Sequence, residues 1–189
     1  TFDVQKFYTE LDQYFAGYDN AATEQFLKDE LEKANSIGVI LAVTSNCPTC
    51  NIGKEDDLSD SEKELILQRS QARIAVLNEM ACFYRGISKW EPCIDTFREL
   101  MAEMEFSGLQ ETEQYALAVI NMAGAYRLIG KFDKALELFE KAAGILKAID
   151  CTNDYDWASL YNNTGLVYQD QENLPKAVEY FEKAIEYTR

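Results

Sequence analysis

At 189 residues, nearly half of them hydrophobic, the chain can bury a substantial core as one domain or a short repeat array. Its 18 basic and 33 acidic residues leave a net charge of −15. A nucleic-acid backbone or an anionic membrane would repel that surface, and no local basic stripe offsets it. The absence of histidine removes the commonest general base, the Ser–His and Cys–His nucleophile pairs and the commonest zinc ligand, so neither an enzyme nor a cofactor is expected.

Three prolines and nine glycines are few, which argues against disorder and against a turn-rich all-β fold. No apolar run reaches the roughly 18 residues a membrane span needs, and no basic stretch followed by an apolar one marks a signal peptide. Five cysteines, odd in number and without a scaffold pattern, point to a reducing, cytoplasmic setting. The first residue is Thr1 rather than Met, so the expectation is part of a longer chain.

In chain order, Val4, Phe7, Tyr8, Leu11, Tyr14 and Phe15 recur at helical spacing, and "GYDN" (17–20) reads as a turn. Ala22, Phe26, Leu27 and Leu31 start a second helix that is expected to run on through Ile40. "IGVILAV" (37–43) is too short and apolar for periodicity to separate buried helix from strand; helix is the reading taken.

An inserted loop, "TSNCPTCNIGKEDDLSD" (44–60), follows, with Cys47 and Cys50 in a C-x-x-C. A thioredoxin-like site would place the first cysteine at a helix N-terminus after a strand, and nothing here provides that setting. A structural zinc wants four ligands, yet there is no second C-x-x-C. Loop thiols, free or joined in a local disulfide under oxidising conditions, are therefore the leading reading and metal or redox use of Cys47 and Cys50 the minor one. The acidic run "KEDDLSDSE" lacks the alternating oxygens and glycine of a calcium loop. Ser59 followed by Glu62 is a capping box that should open the next helix.

Beyond it the chain repeats. "KALELFEKA" (134–142) and "KAVEYFEKA" (176–184) differ in register by 42 residues. The same offset relates Tyr84, Tyr126 and Tyr168; Phe97, Phe139 and Phe181; and Trp90, Phe132 and Leu174. Each unit reads as two helices. Leu117, Ile120, Ala123 and Tyr126 mark one, the chain turns at Gly130, and Ala135, Leu138, Phe139, Ala142 and Ile145 mark the other. Thr112 and Asp154 are the expected N-caps. Small residues at Ala123, Gly165, Ala135 and Ala177 would let paired helices approach closely, with Tyr126 and Phe139 filling the remaining space.

These residues resemble the tetratricopeptide repeat, in which a bulky, a small and a tyrosine position are followed by small, aromatic and small positions. Val119, Ala123, Tyr126, Ala135, Phe139 and Ala142 fit it, as do Tyr161, Gly165, Tyr168, Ala177, Phe181 and Ala184. Leu77, Ala81, Tyr84, Cys93, Phe97 and Leu100 fit more loosely. The long period is similar to that of kinesin light chains and of many bacterial regulators. The resemblance implies an all-α fold, an α-solenoid of antiparallel helix pairs in a right-handed superhelix. It would be a single domain of about four units: a divergent first at 1–43, the loop at 44–60, and three more over about 61–189.

In stacked units of this kind the first helices line a concave groove. Asn78, Asn121, Asn162 and Asn163 are the expected groove amides, able to donate to and accept from a peptide backbone; Arg85, Arg127 and Gln169 lie further along. The plainer alternative is that these asparagines bond neighbouring helices. The family's carboxylate clamp uses lysines where Asn78 and Ser159 stand, so that specificity is not transferred. Tyr115, Trp157 and Tyr161 are read as packing.

The leading function is thus a module that binds a peptide or partner protein, with no nucleic acid and no membrane. The alternatives are a sensing or scaffolding part of a larger regulator or enzyme, and a thiol or metal protein using Cys47 and Cys50. Phe181, Ile185 and Tyr187 should be partly exposed on the last helix, where further repeats or a second copy could dock.

Overall fold

The computed structural model describes residues 2–38 and 58–189. The C-x-x-C, most of the inserted loop and most of "IGVILAV" lie outside those residues. Among the described residues there are eight α-helices and no strand. None is long and apolar enough to cross a membrane. The chain divides into two compact units, Thr1–Ile87 and Ser88–Arg189.

The first unit holds α1 (Val4–Ala16), α2 (Asn20–Ser36) and α3 (Asp60–Gly86). Each starts on a side-chain cap that satisfies an otherwise orphaned N–H. Asp3 accepts from Lys6 N and Asp19 from Ala22 N. Ser59 and Glu62 make the reciprocal capping box expected of them, at 3.3 and 2.8 Å. Phe7, Leu11, Phe26 and Leu27 form the α1–α2 core, with Phe7 and Phe26 stacked 6.0 Å apart and Tyr14 on Phe26 at 4.4 Å. The second helix stops at Ser36 and does not reach Ile40: Ile37 is extended and Gly38 takes φ +60, a conformation cheap only for glycine. Against α2, α3 places Arg73 on Asn35 and the Tyr84 hydroxyl 3.2 Å from Glu24 Oε1.

The second unit holds α4 (Trp90–Phe106), α5 (Glu113–Leu128), α6 (Phe132–Ala148), α7 (Asp154–Asp170) and α8 (Leu174–Glu186). Each helix packs on the next in sequence, and α5 also touches α7. The sequence columns reappear as packing: Phe97, Ala123, Ala135 and Ala142 are fully buried, Phe139 nearly so. A Phe buried this way contributes about 1.5–3 kcal/mol. At Gly165 a Cβ would come within 2.7 Å of the Phe181 ring, so the absence of a side chain there lets α7 and α8 close.

The turns keep the same period. After α5, Gly130 N–H donates to Arg127 O and Lys131 N–H to Tyr126 O, the paired bonds of a Schellman cap. Gly108, Asp150 and Glu172 make the matching pairs after α4, α6 and α7. The cap residue is left-handed each time, with φ +71 at Gly108 and +75 at Gly130, but also +48 at Asp150 and +59 at Glu172. Thr112 caps α5 as expected. For α7 the cap is Asn153, which accepts from Tyr155 N at 3.1 Å, and Asp154 is instead the first helical residue.

Candidate partner-binding face

Of the seven expected groove residues, Asn78 and Arg85 lie on α3 in the first unit. Asn78 is half-buried, with its amide 3.3 Å from Glu79 Oε1, and Arg85 is exposed. The other five lie in the second unit. Asn121 is half-buried on α5; Asn162 and Gln169 are exposed on α7. By the 42-residue offset Asn121 corresponds to Asn163, and Asn78 to Asn162, so the asparagines fall into two adjacent columns.

Asn163 and Arg127 are engaged within the fold. Asn163 Nδ2 donates to Ser159 O at 2.8 Å, one turn back on its own helix. Arg127 Nη1 donates to Asp170 Oδ2 at 2.6 Å, joining the ends of α5 and α7. Its side chain is only 18% exposed and its Nε is buried without a hydrogen-bond partner. A charge-assisted bond so sheltered is worth more than a surface pair. Arg127 thus works as a tie between two first helices.

Tyr115, read as packing, is 1% exposed. Its hydroxyl donates to Glu105 Oε1 at 2.5 Å and accepts from Lys141 Nζ at 2.9 Å, tying α4, α5 and α6 together. Burial first, then the bond to Glu105, pushes its phenol well above the usual range. Trp157 and Tyr161 are half-buried and pack among other rings: Trp157 lies 5.8 Å from Tyr161 and 6.1 Å from Tyr187.

One surface of the second unit escaped the sequence reading, and a second was anticipated only in part. A cavity of about 600 Å³ is lined by Tyr161, Tyr168 and Tyr180 on one side and Asp133, Glu137 and Glu140 on the other. Lys176 and Lys183 already lie over the Tyr168 and Tyr180 rings, at 5.0 and 4.6 Å. Of these tyrosines only Tyr168 belongs to the column visible in the sequence, and the acids come from α6. The second surface is on α8, where Leu174, Val178 and Ile185 are 61, 53 and 49% exposed at spacings that put them on one face. Of the residues expected to be partly exposed there, Ile185 is exposed and Phe181 and Tyr187 are half-buried.

Residues 114–189 match the tetratricopeptide repeat family. No curated protein matches the chain by sequence. Among solved structures it is similar to BtubC (BKLC) from P. vanneervenii, 14% identical over 85% of this chain and 73% of that one, with a TM-score of 0.57. It is also similar to a protein from Podosopora anserina assigned as a kinesin light chain with nearly identical TPR-like repeats. That likeness is 14% identical over 98% of this chain and 94% of the other, with a TM-score of 0.54. At this identity the likenesses show the fold, an all-helical repeat solenoid. Helix pairs on a 42-residue period, small residues where pairs touch and a family match over the last two pairs agree: residues 114–189 carry tetratricopeptide repeats, within a chain whose fold is an all-helical repeat solenoid.

Proposed function

We propose that the chain is a protein-interaction module that takes an extended segment of a partner along its first-helix face. In the second unit Asn121, Asn162 and Gln169 would make the contacts; Asn78 and Arg85 are the corresponding proposed contacts of the first unit's own face. The observation that carries this reading is the Arg127–Asp170 tie: it fixes α5 against α7, and Asn162 and Gln169 stand exposed on α7. Prefixed amides cost less to order on binding than flexible ones, and they suit backbone recognition because each offers a donor and an acceptor. Asn163 and Arg127 are held by the fold and serve the face indirectly. A reducing, cytoplasmic setting is part of this reading, and the thiols of Cys82 and Cys151 suit it.

The test is a pull-down of partners by the wild type beside Asn121→Ala/Asn162→Ala, with circular dichroism confirming the fold. Losing two hydrogen bonds of about 1 kcal/mol each should weaken capture roughly thirtyfold. Equal capture by both proteins would refute the face. Arg127→Ala is a poor probe, because it also removes the tie to Asp170.

A second reading, a scaffold piece joined end-on to a further repeat or to a second copy, is favoured by the exposed Leu174, Val178 and Ile185 stripe. Sedimentation of the wild type against Val178→Glu separates the second copy from the alternatives: only self-association predicts that the variant is lighter.

A further inference from the structure

In the second unit the chain brings together three groups that no function above uses. Glu113 stands in the first turn of α5, Asp156 in the first turn of α7, and Cys151 in the turn before α7. One ligand atom of each, two carboxylate oxygens and a thiol sulfur, lies within 4.8 Å of both others. Asp156 is 1% exposed, and its Oδ2 is buried with no hydrogen-bond partner. Among the described residues no lysine or arginine pairs with it.

The surroundings are built rather than loose. The Cys151 backbone is held on both sides, its N–H donating to Leu146 O at 2.9 Å and its carbonyl accepting from the Trp157 indole at 3.0 Å. Asn153 Nδ2 donates to Glu113 Oε1 at 3.0 Å. A buried carboxylate without a counter-charge is costly, and a second carboxylate facing it adds to that cost. The bland explanation is that both acids sit at helix N-termini, which offer about half a positive charge each. That offsets part of the charge but leaves the buried Oδ2 without a partner. A proton shared with Glu113 is the other way to supply the missing charge, and a cation bound between the two carboxylates would compete with it.

We propose that Glu113, Cys151 and Asp156 form a binding site for a thiophilic divalent cation of the zinc class. The thiolate selects against calcium and magnesium, which take oxygen ligands. Three protein ligands leave the fourth tetrahedral position to water. Zinc bond lengths near 2.0 Å to oxygen and 2.3 Å to sulfur require ligand atoms roughly 3.3–3.6 Å apart. The cluster must contract, and its members divide that task well: Asp156 is fixed in the interior, while Glu113 is exposed and Cys151 half-buried, so both can close on an ion arriving from solvent. The bound ion would pin the start of α5 to the turn that opens α7, the same two helices that Arg127 and Asp170 join at their other ends.

The experiment uses the full chain with Cys47→Ser/Cys50→Ser, so that the C-x-x-C cannot contribute, and Co²⁺ alone as the probe. The expected result is one equivalent of Co²⁺ bound at pH 7.5 with a thiolate-to-cobalt charge-transfer band. Cys151→Ser should abolish that band, and Asp156→Asn or Glu113→Gln should weaken binding at least about tenfold with unchanged circular dichroism. Asn153→Ala, which frees Glu113, should weaken it by about the same factor. Zinc should displace the cobalt and raise the melting temperature, and a chelator should reverse the rise. A parent protein with no band, or a band that survives Cys151→Ser, overturns the proposal.

Discussion

Gly165→Ala puts the close approach of α7 and α8 to a quantitative test. The added Cβ would stand 2.7 Å from Phe181 Cδ1 and Cε1 and 3.2 Å from Cζ, inside contact distance for three ring atoms. Either the ring swings away and gives up its packing or the helices part. Overpacking of this size costs about 1–3 kcal/mol, while replacing a mid-helix glycine returns about 0.5–1 kcal/mol in helix propensity. The expected net loss is about 1–2 kcal/mol, a fall of roughly 2–8 °C in melting temperature for a chain of this size. Gly144→Ala is the matched control: it is also mid-helix, on α6, but its Cβ would meet nothing within 4 Å, so only the propensity gain remains. That variant should melt about 1–4 °C higher than wild type. In a double-mutant cycle, Phe181→Leu should cost less in the Gly165→Ala background than alone, by about 0.5 kcal/mol or more. Thermal melts of the four proteins and the control decide it. If Gly165→Ala melts like Gly144→Ala, the ring yields freely and Gly165 is not what sets the spacing of the pair.

Two further variants probe the turns and the buried hydroxyl. Glu172 sits left-handed at φ +59 where its repeat counterpart is Gly130, so Glu172→Gly should stabilise by up to about 1 kcal/mol in denaturant titration, less what glycine adds to unfolded-chain entropy. Tyr115→Phe removes the hydroxyl that bonds both Glu105 and Lys141 and should lose about 1.5–3 kcal/mol; a loss within error would show that water replaces the bond at no cost.

The second unit was the legible part of the sequence because two signals there agree. The 42-residue columns specify the core at Phe97 and Phe139, and the turn positions follow the same period, so local and tertiary preferences coincide. The end of α2 was misjudged because "IGVILAV" reads as a continuation by hydrophobicity alone. Gly38 ends it through backbone conformation, a cue that periodicity does not carry. Asp154 and Asn153 are both good caps, and only the observed bond to Tyr155 N chooses between them. The site was less legible. Arg127 carries the same sequence signal whether it faces a ligand or Asp170, and the distinction depends on how far α5 and α7 are apart. Glu113 and Asp156 are distant in sequence and share no motif; stacking of successive units alone brings them together.

Trp157 gives the last helix pair an optical reporter of its own. Only two tryptophans are present, and this one is surrounded by Tyr161, Tyr187 and, through Tyr161, Tyr180, all within range for tyrosine excitation to pass to the indole. Trp90, at the start of α4, is far away in the chain and should report a different event. Each unit of a repeat array is stabilised chiefly by its neighbours. The denaturant midpoints of tyrosine-sensitised Trp157 emission and of Trp90 emission should therefore separate where α7 and α8 are loosely coupled to α4, and the gap between them would measure that coupling.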